Sequence, residues 1–126
     1  MEDFEKKAIN DVVIEIVNLS RATYKEASDF KKILNEDLEK KFKKIVVDIS
    51  QCEFMDSTFL GVLVYAQKRI SSQGGAIKLV EPASVFQTLL EKTSTLRIFD
   101  TYKTVPEAVR SFSTQFVNSS KVALTV

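Results

Sequence analysis

Residues 54–63 read Phe54-Met55-Asp56-Ser57-Thr58-Phe59-Leu60-Gly61-Val62-Leu63. They follow a short apolar run, Ile45-Val46-Val47-Asp48-Ile49, that has the character of a central strand. They lead without a break into a helical pattern, Thr58 to Ser72, which Gly74-Gly75 stops. An Asp-Ser-Thr cluster at such a junction places hydroxyls at a helix N-terminus. Backbone N–H groups there lack partners, and the helix dipole favours negative charge. A kinase adding phosphate at that point would set a dianion where the backbone tolerates it, and would change the local surface charge sharply. The junction suits a phosphorylation switch that leaves the fold intact.

Outward from this stretch the chain alternates. Phe4 to Ile9 is a weak strand candidate, Asn10-Asp11 a tight turn, and Val12 to Val17 a β-branched strand. Apolar residues at Ala27, Phe30, Ile33, Leu34, Leu38 and Phe42 recur at steps of three and four, which predicts a helix over Thr23 to Lys41. Beyond Gly75 the sequence predicts a strand at Ala76 to Val80, a helix at Ser84 to Lys92, and a short strand at Leu96 to Phe99. A last helix follows at Val105 to Phe112, with Pro106 in its first turn. The order β-β-α-β-α-β-α-β-α implies an α/β fold: a mixed sheet of four or five strands carrying about four helices. Residues 1–113 read as a single domain, and 114–126 as a tail that either adds a strand at Val122-Ala123-Leu124 or stays flexible.

Composition narrows the function. The 126 residues carry a net charge of +1, which leaves no electrostatic footprint for nucleic acid. Histidine is absent, and with it the commonest general base and metal ligand. The single cysteine, Cys52, rules out an intrachain disulfide and reads as a small packed residue. No apolar run reaches the roughly 20 residues that span a bilayer. The acidic start, Met1-Glu2-Asp3-Phe4-Glu5, does not look like a secretion signal. The expected address is the cytoplasm, without membrane insertion. Glu15, Asp48, Glu53 and Asp56 do not form a receiver-type acidic site, because Val17-Asn18-Leu19 offers no carboxylate at the end of the strand. No glycine-rich phosphate loop is present. No metal or other cofactor is expected.

Ile45-Val46-Val47-Asp48, Phe54-Met55-Asp56-Ser57-Thr58, Leu60-Gly61-Val62-Leu63 and Gly74-Gly75 before Ile77-Lys78-Leu79-Val80 together resemble the STAS domains of bacterial anti-sigma-factor antagonists. The likeness runs from about Val12 to Phe112. It implies that Ser57 is phosphorylated by a partner kinase that is also an anti-sigma factor. The unphosphorylated form would sequester that partner, and a phosphoserine phosphatase would restore it. Three positions depart from the family pattern. Phe59 stands where a glycine is usual, Thr93-Ser94-Thr95-Leu96 lacks a glycine, and Asn18 to Thr23 lacks Gly-x-Leu-Asp.

The individual residues keep two readings each. Ser57 is a helix N-cap worth about 1 kcal/mol, or the phosphoacceptor, and the two are compatible. Thr58 is the fallback acceptor. A catalytic Ser57 has no histidine to activate it, so no enzyme activity is expected. Asp56 is a structural carboxylate favoured by the dipole, or a contact for the kinase that orients Ser57. Asp48 is expected to bond the following loop. Leu60, Leu63, Val64 and Gln67 are expected to face the sheet. Phe59, Val62, Tyr65 and Ala66 then leave the rest of the helix unusually apolar. The face they form is either a broad core contact or a protein-binding patch beside Ser57. The patch is the preferred reading, and the expected partner surface is Asp56, Ser57, Thr58, Phe59 and Val62. The expected state is a monomer or weak dimer. The alternative function is a scaffold subunit of a stressosome-like or transporter-associated complex.

Overall fold

The structure, a computed structural model, describes residues 2–82 and 98–113. The elements in chain order are β1 (Phe4–Ile9), β2 (Val12–Val17), β3 (Arg21–Ala22), α1 (Tyr24–Glu39), β4 (Lys44–Asp48), β5 (Phe54–Met55), α2 (Ser57–Ser72), β6 (Ala76–Val80) and β7 (Asp100–Tyr102). A third helix, α3, occupies residues 105–113.

The main sheet has five strands in the order β1-β2-β4-β6-β7. Only the first pair is antiparallel, closed by the turn at Asn10, whose φ of 55° is one that asparagine adopts readily. The pairs β2–β4, β4–β6 and β6–β7 are all parallel. Alternation along the strands splits the apolar residues between two faces. Val17, Ile45, Val47, Ile77 and Leu79 meet α1 and α2 on one side. Val12, Ile14, Val46 and Val80 meet Ala108 and Phe112 of α3 on the other.

Both long helices end in the same device. After α2, Gly74 takes a φ of 83°, its N–H donates to Ser71 O at 3.2 Å, and Gly75 N donates to Ile70 O at 2.9 Å. This is a Schellman motif, and glycine at its left-handed position is the residue with least strain. Gly75 also lets β6 start against the residue before β4, since a Cβ there would stand 2.5 Å from Lys43 O. After α1 the same pair of bonds runs from Lys41 N to Leu38 O and from Phe42 N to Asp37 O, with Lys41 at a φ of 65°.

Three expectations need correction. The described residues hold three helices, not about four; the helix expected at Ser84 to Lys92 lies outside the described residues. The strand expected over Leu96 to Phe99 is not one at Ile98 and Phe99. Pairing with β6 begins at Asp100, and Phe99 is buried in the core beneath α2. The expected order had no β3 or β5, which pair parallel as a separate two-stranded sheet. The tail, 114–126, also lies outside the described residues. No described helix is long and apolar enough to cross a membrane.

Candidate functional site

The site follows from the topology. β2 and β4 are parallel neighbours, so the segments that leave them emerge at the same edge of the sheet. Each feeds a helix, α1 or α2, and those helices pack against each other. Their N-termini therefore start side by side. The short β3–β5 pair fastens the two approaches together, with Arg21 opposite Phe54 and Ala22 opposite Met55. Glu53 N and Phe54 N both donate to Ser20 O, and Asp56 N donates to Ala22 O. Asp48, at the end of β4, accepts from Ser50 N at 3.0 Å and shapes the loop, as the sequence suggested. Cys52 is buried in that loop, and burial pushes its thiol up to about 12, which makes it a packed residue and a poor nucleophile.

Asp56 joins the two helix ends. One carboxylate oxygen accepts from Phe59 N at 2.9 Å and caps α2. The other accepts from Tyr24 N, the first residue of α1, at 2.7 Å. Each bond satisfies an N–H that has no intrahelical acceptor, and each is strengthened by charge and by a dipole. Thr23 completes the cap of α1: its hydroxyl accepts from Lys25 N at 3.3 Å, and Glu26 accepts from Thr23 N at 3.0 Å. Asp56→Ala removes both bridging bonds and is expected to cost about 2–3 kcal/mol. Denaturant melts of the variant, with amide exchange at Tyr24 and Phe59, check it. A cost under about 0.5 kcal/mol with unchanged exchange would show that the carboxylate does not couple the helices.

Ser57 is therefore not the N-cap. It is the first residue of α2, and Asp56 caps the helix. Ser57 and Thr58 are both exposed, and neither side chain makes a hydrogen bond among the described residues. Their N–H groups open the helix and lack intrahelical acceptors. The site thus presents two free hydroxyls at the positive ends of two adjacent helices.

Phe59 and Val62 do not face solvent, which corrects their place in an accessible patch. Phe59 is fully buried, stacked on Phe30 with ring centroids 5.0 Å apart, and Phe30 in turn stacks on Phe4 at 5.0 Å. Val62 and Ala66 are buried in the same core. The reason is that α2 is covered on two sides, by the sheet and by α1, so its wide apolar surface is intramolecular. Of the residues expected on that outer face, Tyr65 is exposed. Leu63 and Gln67 are buried as expected. Gln67 accepts from Ile77 N and donates to Ile98 O, tying α2 to its neighbours. Leu60 and Val64 are half-buried.

The exposed aromatic groups around the hydroxyls escaped the sequence reading. Tyr24 is 66% exposed, and Phe54 is half-open with the Arg21 guanidinium 4.4 Å above its ring. A surface cavity of about 380 Å³ is lined by Arg21, Thr23, Tyr24, Lys25 and Glu26. The Thr23-x-x-Glu26 capping box was the signal that would have fixed where α1 begins and brought Tyr24 to the site. Strands of two residues carry no periodicity, so nothing in the sequence announced β3 or β5.

Comparison with known proteins places this geometry. The STAS domain family model matches residues 3–108. A Thermotoga maritima protein that carries the provisional name anti-sigma factor antagonist is 38% identical over 107 residues, which cover 84% of this chain and 94% of that protein. A crystal structure of a T. maritima protein with the same provisional name superposes with a TM-score of 0.76 at 36% identity, covering 86% of this chain and 92% of the other. Bacillus SpoIIAA in its phosphorylated form shares the fold at a TM-score of 0.69 and 13% identity, covering 86% and 98% of the two chains.

Proposed function

Since the chain belongs to the STAS domain family and is similar over most of its length to proteins named as anti-sigma factor antagonists, we propose that it is a phosphorylation-gated binding module. Unphosphorylated, it sequesters an anti-sigma factor that is also a serine kinase. That kinase phosphorylates Ser57 and the complex releases, and a phosphoserine phosphatase resets it. The protein is then a kinase substrate, not an enzyme, and needs no cofactor of its own.

The observation that carries this reading is the freedom of Ser57. Its hydroxyl is exposed and unbonded among the described residues, while Asp56 next to it does the capping. A phosphoryl group added to Ser57 breaks no bond of the fold, yet it brings about two negative charges to the junction of both helices. The N-terminal N–H groups and dipoles accommodate the dianion within the protein. A partner surface packed there would have to desolvate it. The solved structure of a relative in fold, SpoIIAA, in a phosphorylated form supports this class of regulation.

Capture from the source organism's lysate tests the reading, using wild type, Ser57→Ala and Ser57→Asp as baits with phosphopeptide mapping of the wild type. Ser57→Ala should melt within about 0.5 kcal/mol of wild type, as exposed positions without bonds do. It should retain a kinase-like anti-sigma factor as wild type does, Ser57→Asp should lose it, and the phosphate should map to Ser57. Phosphate on Thr58 alone, or identical captures by all three baits, would overturn the assignment.

A further inference from the structure

We propose that the outer edge of β1 is a contact for a second copy of this chain, the two β1 strands pairing antiparallel about a twofold axis at Lys6. β1 ends the main sheet, and among the described residues no strand pairs with its far side. It is six residues long, against three for β7 at the opposite end, and Lys6 to Ile9 are exposed. The turn sets the phase of its backbone. Ile9 and Val12 flank a two-residue turn, and Asn18 N donates to Asp3 O at 2.7 Å. In an antiparallel ladder every second pair is bonded. Asp3, Glu5, Lys7 and Ile9 therefore spend their N–H and C=O groups on β2. Phe4, Lys6 and Ala8 aim theirs outwards, as a template for a further strand.

Charge decides which strand fits. Lysines on a sheet edge usually bar such pairing. Here Lys6 Nζ is turned onto the buried Glu15 and Asp37 of its own chain, so its charge is met before a second copy arrives. Phe4 stacks on Phe30, which puts Phe4, Lys6 and Ala8 on the α1 face; Glu5 and Lys7 lie on the other face. With the axis at Lys6, Phe4 bonds with Ala8 of the second copy. Glu5 then stands directly opposite Lys7 of the second copy, in the closer, non-bonded kind of pair. The twofold repeats that pair with the roles exchanged. Asn18 Nδ2 donates to Glu5 Oε1 at 2.8 Å, which holds the carboxylate and leaves its second oxygen for the lysine. An axis at residue 5 would set Glu5 against Glu5, and one at residue 7 would set Lys7 against Lys7, so the charges select one register. In that register the strands of the two copies run in opposite directions. The two α2 N-termini lie at opposite ends of the joined sheet, and neither is covered.

Sedimentation equilibrium over a concentration series tests this edge. Wild type should show a monomer–dimer equilibrium. Ala8→Pro removes an outward N–H but no bond to β2, a change that edge strands tolerate. It should weaken the dimer at least about tenfold. Glu5→Lys and Lys7→Glu should each weaken it about tenfold, because each puts like charges opposite one another. An equimolar mixture of those two variants, or both changes in one chain, should return to within about twofold of wild type. That rescue decides the matter if Ala8→Pro fails to fold. Ser57→Asp should dimerise as wild type does. A monomer at every concentration, an Ala8→Pro dimer of wild-type strength, or charge variants that neither weaken nor rescue would overturn the proposal. A dimer lost in Ser57→Asp would move the contact to the helix ends and overturn it too. Amide exchange completes the test, since protection of Phe4, Lys6 and Ala8 should rise with concentration. Protection of these amides already in the monomer would give the edge to another segment of the same chain and refute the dimer contact.

Discussion

Phe59→Ala is expected to destabilise the protein by about 3–5 kcal/mol, the cost of removing a fully buried aromatic ring and leaving part of its volume empty. The ring is fully buried and forms the end of the Phe4–Phe30–Phe59 stack, which pins β1, α1 and α2 to one another. Its planes lie 11° from those of Phe30. This offset stacking adds to the area it buries. With Phe59→Leu, much of the volume is kept and the loss should be smaller, about 1–2 kcal/mol. Urea unfolding curves of the three proteins measure both steps. A loss under about 1 kcal/mol for alanine would mean that the residue sits in a loosely packed or accessible place, as the sequence reading had supposed. Phe59 fills space between the two helices beside Ser57.

The second large effect is a dependence of stability on pH. Glu15 of β2 and Asp37 of α1 are both buried between sheet and helix, and Lys6 of β1 reaches both. Lys6 Nζ lies 2.5 Å from Glu15 Oε2 and also bonds Asp37. Burial, helped by the hydrogen bond and charge of Asp37, pushes Glu15 up to about 8, and Lys6 pulls the other way. Burial alone would lower Lys6, but its bonds to Asp37 and Glu15 leave it raised. The second oxygen of Asp37 has no partner among the described residues.

The sign follows from proton counting. In the unfolded chain Glu15 ionises near 4.5, and in the folded one near 8. Between those values the folded form holds more protons, so stability falls as pH rises, by at most about 1.4 kcal/mol per pH unit. Below about 4.5 the group is protonated in both forms and above about 8 ionised in both, and its contribution levels off. Glu15→Gln, which cannot ionise, should flatten the curve between pH 5 and 8 and leave the variant more stable than wild type at the upper end. Urea midpoints at half-unit steps would show it. A wild-type curve that is level over this window, or a glutamine variant that falls in parallel, would contradict the account.

Much of the fold was legible because its signals are local and strong. The β-branched run Val12 to Val17 and the i, i+3, i+4 spacing of Ala27, Phe30, Leu34 and Leu38 each specify an element from its own residues. What failed was tertiary. Nothing in residues 57–72 tells that α1 lies alongside α2, so Phe59, Val62 and Ala66 looked surplus to one core contact and were read as a surface. The strand at Asp100-Thr101-Tyr102 has few apolar residues, because its place is fixed by pairing with β6, and Leu96 to Phe99 looked stronger. The hydroxyl cluster was correctly placed at a helix start. That Asp56, not Ser57, would cap it depended on a second helix end, Tyr24, arriving within 2.7 Å of the same carboxylate.

Phosphate on Ser57 is expected to release the partner without disturbing the protein. It is tested most directly by titrating the purified partner kinase with two samples, one unphosphorylated and one carrying phosphoserine at position 57, and by melting both. Melting curves that coincide are expected, with an affinity lower in the phosphorylated sample by on the order of 100-fold, the scale of a like-charge or desolvation penalty at an interface. Equal affinities would contradict it, and so would a loss of binding matched by a loss of stability.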